Sequence, residues 1–246
     1  GRGQTGTEPE KPATEDLTIS AAVSLKEAFD EIGNAYAKSS GRRINFNYGS
    51  SGALQRQIEN GAPIDVFASA GEKQIEELGN AGFIEVTTRR NFAMNSIVLI
   101  VPAVSNKHIR SFEDLRKIEV EKVAIGNPKT VPAGKYAEEA LRKFNLAEAV
   151  ASKLVLAENV RQVLTYVERG EVDAGIVYST DLRSADGKVT AVAAAADASH
   201  SPILYPIALV RDGRNKRASQ DFVDFVLSRE GQKILEKFGF KPAIKK

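Results

Sequence analysis

The sequence predicts an α/β fold with two lobes, and three observations lead to this prediction. Short β-branched runs alternate with amphipathic helical segments from Asp16 to the carboxyl terminus, an order that favours parallel-rich sheets. The alternation occurs in two series, separated by the long apolar run NSIVLIVP at 95–102. A further strand candidate around Tyr205 follows the second series, so we expect the chain to cross twice between two lobes.

Local patterns justify the individual elements. The strand candidates are apolar or alternating runs at 17–22, 43–48, 64–69, 95–102, 122–126, 153–156, 173–178, 189–194 and 204–210. The helix candidates carry apolar residues at helical spacing, at 24–40, 53–60, 73–81, 111–116, 132–144, 160–170 and 220–238. Ser24 and Glu27 match a capping box at the first helix start, and Gly41 ends that helix. Pro206 favours an edge position or a strand start.

The order of elements predicts the division of the chain. We expect one lobe to comprise 16–95 and 206–246, the other 96–205, and a ligand cleft to lie between them. Residues 1–15 are rich in Gly, Pro, Thr and Glu and lack periodicity, which predicts a flexible leader. This leader is interpreted either as a tether left after removal of a signal peptide or as residues left by cloning.

Composition narrows the class of function. Lys and Arg number 34 against 32 Asp and Glu, a net charge of +2, so no global field predicts nucleic acid or an anionic membrane as a partner. The chain has no cysteine and two histidines, His108 and His200, which argues against thiolate or histidine-rich metal sites. The dinucleotide, P-loop and nucleophile-elbow motifs do not occur. We therefore expect no cofactor and no direct protein ligand to a metal.

Four loops that follow strand candidates share small or hydroxyl-bearing residues before a helix start, at 22–24, 49–52, 131–134 and 158–160. The first N–H groups of a helix lack internal partners and carry about half a positive charge, so helix starts bind anions. Hydroxyls of Ser24, Ser51 and Tyr178 would add donors. Each serine alone is explained as a plain cap, so the anion hypothesis depends on recurrence at strand ends, where such folds bind ligands.

Seven segments, taken in order, resemble the periplasmic molybdate-binding proteins of ABC transporters. They are AAVSLKEAF (21–29), YGSSGAL (48–54), QIENGAPIDVFASA (57–70), NSIVLIVP (95–102), IGNPKTVPAGKYAEEAL (125–141), AENVRQVLTYVERGEVDAGIVYSTD (157–181) and YPIALV (205–210). The resemblance covers about residues 17–240, and GNPxxVPAGxYA and DAGIVYxTD are its most specific parts. Val23 and the pair Gly52-Ala53 depart from many relatives, but neither departure changes a predicted donor side chain.

The resemblance implies a type II periplasmic binding protein, with a mixed sheet flanked by helices in each lobe and no catalysed reaction. It implies ligand contacts from the side chains of Ser24, Ser51 and Tyr178 and from the backbone near Ala133 and at Val160. The implied ligand is molybdate, from which tungstate is not distinguished by size. The implied partner is an ABC transporter permease. The implied location is periplasmic or otherwise extracytoplasmic, with a lipid tether as one option, and we expect a monomer.

Three alternatives stay open at the level of sequence. A binder of sulfate or another tetrahedral oxyanion would use the same donors. An α/β enzyme acting on a phosphoester would need a nucleophile, a base or a metal. Asp65 is the carboxylate candidate for that role, although a structural hydrogen bond is the simpler interpretation of it. A purely structural interaction module would bind no ligand at all.

Overall fold

A computed structural model describes residues 16–243, whose strands form two five-stranded sheets. The strands are β1 (Leu17–Ala22), β2 (Ile44–Gly49), β3 (Val66–Ala68), β4 (Arg90–Met94), β5 (Ile97–Pro102), β6 (Val123–Gly126), β7 (Leu154–Ala157), β8 (Ala174–Tyr178), β9 (Val189–Ala194) and β10 (Leu204–Leu209). The helices are α1 (Lys26–Ser40), α2 (Ser51–Glu59), α3 (Glu72–Asn80), α4 (Pro132–Lys143), α5 (Ala147–Val150), α6 (Val160–Glu168), α7 (Lys216–Leu227) and α8 (Arg229–Lys237). The predicted leader at 1–15 lies outside the described residues. No helix between residues 16 and 243 has the length and apolarity needed to span a bilayer.

Both sheets are mixed, which confirms the predicted fold class. The first sheet has the strand order β2-β1-β3-β10-β4 and the second the order β7-β6-β8-β5-β9. Strands β1, β2 and β3 are mutually parallel, and β10 runs antiparallel to both of its neighbours. The second sheet repeats this arrangement, with β6 parallel to β7 and β8, and β5 antiparallel to β8 and β9. Each sheet therefore places the carboxyl ends of three parallel strands at one edge, where ligands of such sheets bind.

The chain passes between the sheets twice. The first crossing, from β4 to β5, contains just Asn95 and Ser96, and the second joins β9 to β10. The lobe boundary expected between 205 and 206 falls inside β10, because Leu204 and Tyr205 pair with β4 of the first sheet. The short first crossing brings the hinge close to the facing edges of both sheets.

A chain of aromatic rings extends from the core of the first lobe to the second sheet. Phe222 of α7 packs on Phe29 of α1, and Phe29 packs on Phe92 of β4, with ring centroids 6.2 and 5.6 Å apart. Phe92 contacts Tyr205 at 6.2 Å, and Tyr205 contacts Tyr178 of β8 at 5.7 Å. Aromatic pairs at these separations stabilise a core beyond the area they bury. They fix the position of Tyr205 between the two lobes.

Two elements differ from the sequence prediction because tertiary pairing overrides the local pattern. Residues 90–94 are not among the strand candidates from the sequence, yet they form edge strand β4 through pairing with β10. The edge position or strand start expected from Pro206 is wrong, because Pro206 is the third residue of β10, which lies between β3 and β4. The register of β10 against β4 shifts between Tyr205 and Pro206, and such an irregularity accommodates a residue that has no N–H.

The helical segment predicted at 220–238 is two helices, α7 and α8. Ser228 ends α7 and caps α8, with its Oγ accepting from the N–H of Gly231 at 3.2 Å. The side chain of Ser228 also donates to the carbonyl of Phe225. The apolar spacing continues across the break, so periodicity alone does not reveal this corner.

Helix α4 meets strand β6 at a contact that permits only glycine. A Cβ atom added to Gly134 would overlap the backbone carbonyl of Gly126. Gly134 follows Ala133 in the first turn of α4, so this contact sets how closely the helix start approaches the edge of the second sheet. Backbone atoms on both sides leave little room for relaxation.

We predict that Gly134→Ala lowers the free energy of unfolding by about 3 kcal/mol, through overpacking against the Gly126 carbonyl. Gly79→Ala is the matched control. Gly79 lies in helix α3, and a Cβ atom added there would lie 3.4 Å from the side chain of Val86. Alanine favours a helix interior, so the control should change stability by no more than about 1 kcal/mol. Urea denaturation of both variants measures the difference, and equal midpoints would contradict the close approach of α4.

Candidate functional site

A small cavity lies between the two sheets, at the carboxyl ends of their parallel strands. Its lining contains all five residues singled out from the sequence, and consists of Ala22, Val23, Ser24, Gly49, Ser50, Ser51, Ala70, Val131, Pro132, Ala133, Val160 and Tyr178. The space open to the centre of a water-sized sphere is about 10 Å³, near the minimum that holds one water molecule. In this conformation the cavity has room for about one water molecule and excludes larger organic molecules.

Ser24 lies in a short 3-10 turn, Val23–Leu25, that joins β1 to α1. The predicted capping box is wrong, because Leu25 takes the N-cap position of α1 and no side chain caps that helix. The Oγ of Ser24 instead lies 3.0 Å from the hydroxyl of Tyr205, and Glu27 extends toward the other lobe. The side chain of Ser24 is thus released from helix capping and directed to the cleft.

Ser51 opens helix α2, and its neighbour Ser50 performs the capping. The Oγ of Ser50 accepts from the N–H of Ala53 at 3.3 Å. The Oγ of Ser51 accepts from the N–H of Ala70 at 3.0 Å, and Ser51 is fully buried. Because this oxygen serves as an acceptor, the proton of the Ser51 hydroxyl remains free to be donated.

Ala133 and Val160 present backbone N–H groups at the starts of α4 and α6. Pro132 occupies the first position of α4, where a residue without an N–H is well tolerated, so Ala133 carries the first donor. In α6 the side chain of Asn159 accepts from the N–H of Gln162 at 3.0 Å. That cap satisfies the N–H of Gln162, the third residue of α6, and leaves the N–H of Val160 for a ligand.

Tyr178 ends β8 and reaches across to the first lobe. Its hydroxyl donates to the carbonyl of Ala70 at 3.1 Å, while the N–H of Ala70 is held by Ser51. Burial raises the pKa of the Tyr178 hydroxyl well above its ordinary value, so the group stays protonated. To donate to a ligand, Tyr178 must turn away from the Ala70 carbonyl. Sequence reasoning missed Ala70, although the segment GAPIDVFASA contains it.

The lining is neutral. Within residues 16–243, no acidic or basic side chain contributes to the cavity wall, and no group of three or more His, Asp and Glu is arranged to hold a metal ion. The hydroxyls of Ser24 and Ser51, the Tyr178 phenol and several helix starts converge there instead. This chemistry binds an anion through partial charges and hydrogen bonds.

Asp65, the carboxylate considered for catalysis, lies away from this cavity. Its two oxygens accept from the backbone N–H groups of Thr18 and Arg214, both at 2.9 Å. Asp65 precedes β3, at the opposite end of the strand from the cavity. These contacts agree with the structural interpretation of Asp65, which ties β1 to the segment after β10.

A partly buried arginine bridges the lobes beside the cavity, and sequence reasoning missed it. Arg161 of α6 makes two hydrogen bonds of 2.7 Å to the carboxylate of Glu27 on α1. It also donates to Asp181 at 2.8 Å and to Ser184 at 2.8 Å. Burial alone would raise the pKa of Glu27, but its hydrogen bonds and proximity to Arg161 hold that pKa below the ordinary value. Glu27 thus stays ionised and joins the two lobes.

A second contact between the lobes is made by backbone. The N–H of Gly52 in α2 donates to the carbonyl of Thr130 at 2.9 Å. A Cβ atom at Gly52 would lie 2.6 Å from that carbonyl oxygen, so a larger residue would push the lobes apart. Glycine at this position therefore allows the cleft to close.

The two sheets, the hinge crossings and the neutral cavity between the lobes define a two-lobed solute-binding protein. Residues 17–241 match the family described as bacterial extracellular solute-binding protein, and the chain belongs to this family. The match confirms the resemblance stated from the sequence. It places the chain among extracytoplasmic proteins that bind a solute and do not transform it.

Similar proteins agree with this membership. YvgL of Bacillus subtilis strain 168, provisionally named an ABC transporter substrate-binding lipoprotein, is 43% identical over 238 residues, covering 96% of this chain and 90% of YvgL. The molybdate-binding protein ModA of Haemophilus influenzae is 36% identical over 232 residues, covering 93% and 91% of the two chains. The structure of the Azotobacter vinelandii periplasmic molybdate-binding protein has a TM-score of 0.84, covering 93% of this chain and 100% of that chain at 23% identity. That last likeness shows the shared fold.

We predict that Glu27→Gln loosens the contact between the lobes. The variant loses the charge that pairs with Arg161, and because the Glu27 side chain is 41% exposed, the expected cost is modest, about 0.5–1 kcal/mol. Exchange of the Gly52 amide with solvent should accelerate about two- to fivefold.

Glu31→Gln is the matched control for this variant. Glu31 lies on the same helix and pairs with Lys237 of α8 within the first lobe, so its removal should leave the Gly52 amide unaffected. Amide exchange followed by NMR measures both variants. An unchanged exchange rate in Glu27→Gln would mean that the ion pair does not hold the lobes together.

Proposed function

We propose that this chain captures molybdate in the cavity between its lobes and delivers it to the permease of an ABC transporter. The observation that carries this proposal is the convergence of neutral donors, Ser24, Ser51, Ala133, Val160 and Tyr178, on one small cavity. The identity to ModA of Haemophilus influenzae, at 36%, supports the choice of ligand.

A site made of donors favours a fully deprotonated oxyanion. Molybdate at neutral pH carries two negative charges, four oxygens and no proton, so each oxygen accepts hydrogen bonds. Protonated phosphate would bring an O–H that needs an acceptor, and leaving a buried polar group unpaired costs about 1–3 kcal/mol. Phosphate is therefore rejected by the chemistry of the lining.

Sulfate is the second candidate ligand, because it is also a proton-free dianion with four oxygens. It is smaller than molybdate, so donors held at positions that fit molybdate would make longer bonds to sulfate. Rigid backbone contacts such as Gly134 against Gly126 keep the helix starts from following the smaller anion. Tungstate is nearly the same size as molybdate, and we propose that it binds as well.

Opening of the lobes would admit the ligand and closure would hold it, as in the hinge motion of periplasmic binding proteins. No ion pair to the ligand has to break on opening, because the lining residues are neutral, so release to the permease stays possible. We propose that the protein acts as a monomer. The lipoprotein name of YvgL supports a lipid tether on the membrane surface.

We predict that Ser51→Ala weakens molybdate binding by about 1.5–3 kcal/mol, the contribution of a hydrogen bond to a charged partner. Ser228→Ala is the matched control, because it removes a helix cap far from the cavity. That control should lower stability by about 1 kcal/mol and leave the affinity unchanged. Calorimetric titration measures both variants, and unchanged affinity in Ser51→Ala would remove Ser51 from the site.

We also predict that millimolar molybdate raises the melting temperature more than equal concentrations of sulfate do. A ligand that binds the folded state raises stability in proportion to the logarithm of its concentration over its dissociation constant. Differential scanning calorimetry with molybdate, tungstate, sulfate and phosphate in parallel tests this ranking. Equal shifts for molybdate and sulfate would contradict selection by size.

A further inference from the structure

We propose that Asn95 and Tyr205 are positioning residues that hold the hydroxyl of Ser24 as a donor directed at the ligand. Neither residue lines the cavity. The inference rests on the proposed function, since it concerns how the same site prefers an oxyanion without a proton. It assigns a role in ligand selection to the first crossing between the lobes.

The orientation of the Asn95 amide is fixed by its neighbours. The backbone N–H of Ser96 lies 2.9 Å from Oδ1 of Asn95, and the Ser179 hydroxyl lies 3.1 Å from the same atom. A backbone N–H is always a donor, so the atom it meets must be the amide oxygen. The Nδ2 group of Asn95 consequently donates to Thr180 at 2.9 Å and to the Tyr205 hydroxyl at 3.1 Å.

We assign the Tyr205 proton to the next bond in the chain. The Tyr205 oxygen accepts from Asn95, and its own proton, which needs an acceptor inside the protein, lies within reach of the Ser24 Oγ at 3.0 Å. The neighbouring Tyr178 hydroxyl gives its own proton to the carbonyl of Ala70. Tyr205 is completely buried, so water does not compete for this bond. The Ser24 oxygen then serves as an acceptor and its remaining proton faces the cavity.

A hydroxyl held in this way discriminates between anions by protonation. A free serine rotates and presents either a proton or a lone pair, so it accommodates an anion oxygen or an anion O–H equally well. With one of its two lone pairs engaged by Tyr205, the Ser24 hydroxyl is oriented so that its proton, rather than its other lone pair, faces the ligand. A protonated oxyanion then faces a donor where it needs an acceptor, which costs binding free energy.

The chain of hydrogen bonds from Asn95 through Tyr205 to Ser24, called the relay below, is also anchored on both sides of the cleft. Asn95 lies in the crossing between β4 and β5, and its partners Ser179 and Thr180 follow β8 of the second sheet. Tyr205 lies on β10 of the first sheet, where its ring packs against Phe92 and Phe240. These contacts keep the three polar groups in line and preserve the ring position when the hydroxyl is removed.

A double-mutant cycle with Tyr205→Phe and Ser24→Ala tests the proposal by calorimetric titration of molybdate. Tyr205→Phe should weaken binding about three- to tenfold, the range of one ordinary hydrogen bond. In the Ser24→Ala background the same change should cost less than twofold, because Tyr205 acts through Ser24. Tyr36→Phe, which removes another buried hydroxyl from the first lobe, is the control and should leave the affinity unchanged. An equal loss from Tyr205→Phe in both backgrounds would overturn the relay.

Competition with phosphate distinguishes a role of Tyr205 in ligand selection from a purely structural role, which would not change the preference between the two anions. The ratio of molybdate to phosphate affinity should fall at least threefold in Tyr205→Phe, because Ser24 regains the freedom to accept. Asn95→Asp is the second variant, since a carboxylate would accept the Tyr205 proton and reverse the relay. It should weaken molybdate more in the Ser24 background than in Ser24→Ala. The proposal would be overturned if Tyr205→Phe left the ratio of molybdate to phosphate affinity unchanged and Asn95→Asp weakened molybdate binding equally in both backgrounds.

The outcomes separate this inference from the proposed function. A wild-type protein that does not bind molybdate would rule out both the relay and the proposed function. A wild-type protein that binds molybdate and loses affinity in Ser24→Ala, but shows an additive cycle with Tyr205→Phe, would remove the relay and leave the molybdate site standing.

Discussion

The convergence of uncharged hydrogen-bond donors on one small cavity is the constraint on which this structure depends. Helix starts carry partial positive charge on N–H groups that lack internal partners, and burying them unpaired costs free energy. Four chain segments nevertheless bring such groups to the facing edges of two sheets. A small anion satisfies them all, so the closed form and the bound ligand are expected to stabilise each other.

The topology explains how hydrogen-bond donors from two separate lobes meet at one cleft. Each sheet has three parallel strands that end at the cleft, and each is completed by an antiparallel strand that belongs to a crossing between the lobes. The same arrangement places the Glu27–Arg161 pair, the Gly52–Thr130 hydrogen bond and the Asn95–Tyr205 contacts next to the cavity. Closure and ligand binding therefore use neighbouring residues of the same few elements.

Sequence patterns predicted the sheets and the five cavity residues because these depend on local signals. Strand candidates ended before small or hydroxyl residues, and helix periodicity began after them. The patterns did not predict contacts between distant segments. Ser24 and Glu27 matched a capping box, yet one pairs with Tyr205 and the other with Arg161. Strand β4 and the interior position of Pro206 likewise depend on pairing with residues more than a hundred positions away.

The most direct test of the account is anomalous diffraction at the molybdenum absorption edge, from crystals of this protein grown with molybdate. The account predicts one strong peak in the cavity between the lobes, with oxygens within hydrogen-bonding distance of the Ser24 and Ser51 hydroxyls and the Ala133 and Val160 amides. A peak outside the cleft, or molybdenum bonded directly to a side chain, would contradict it.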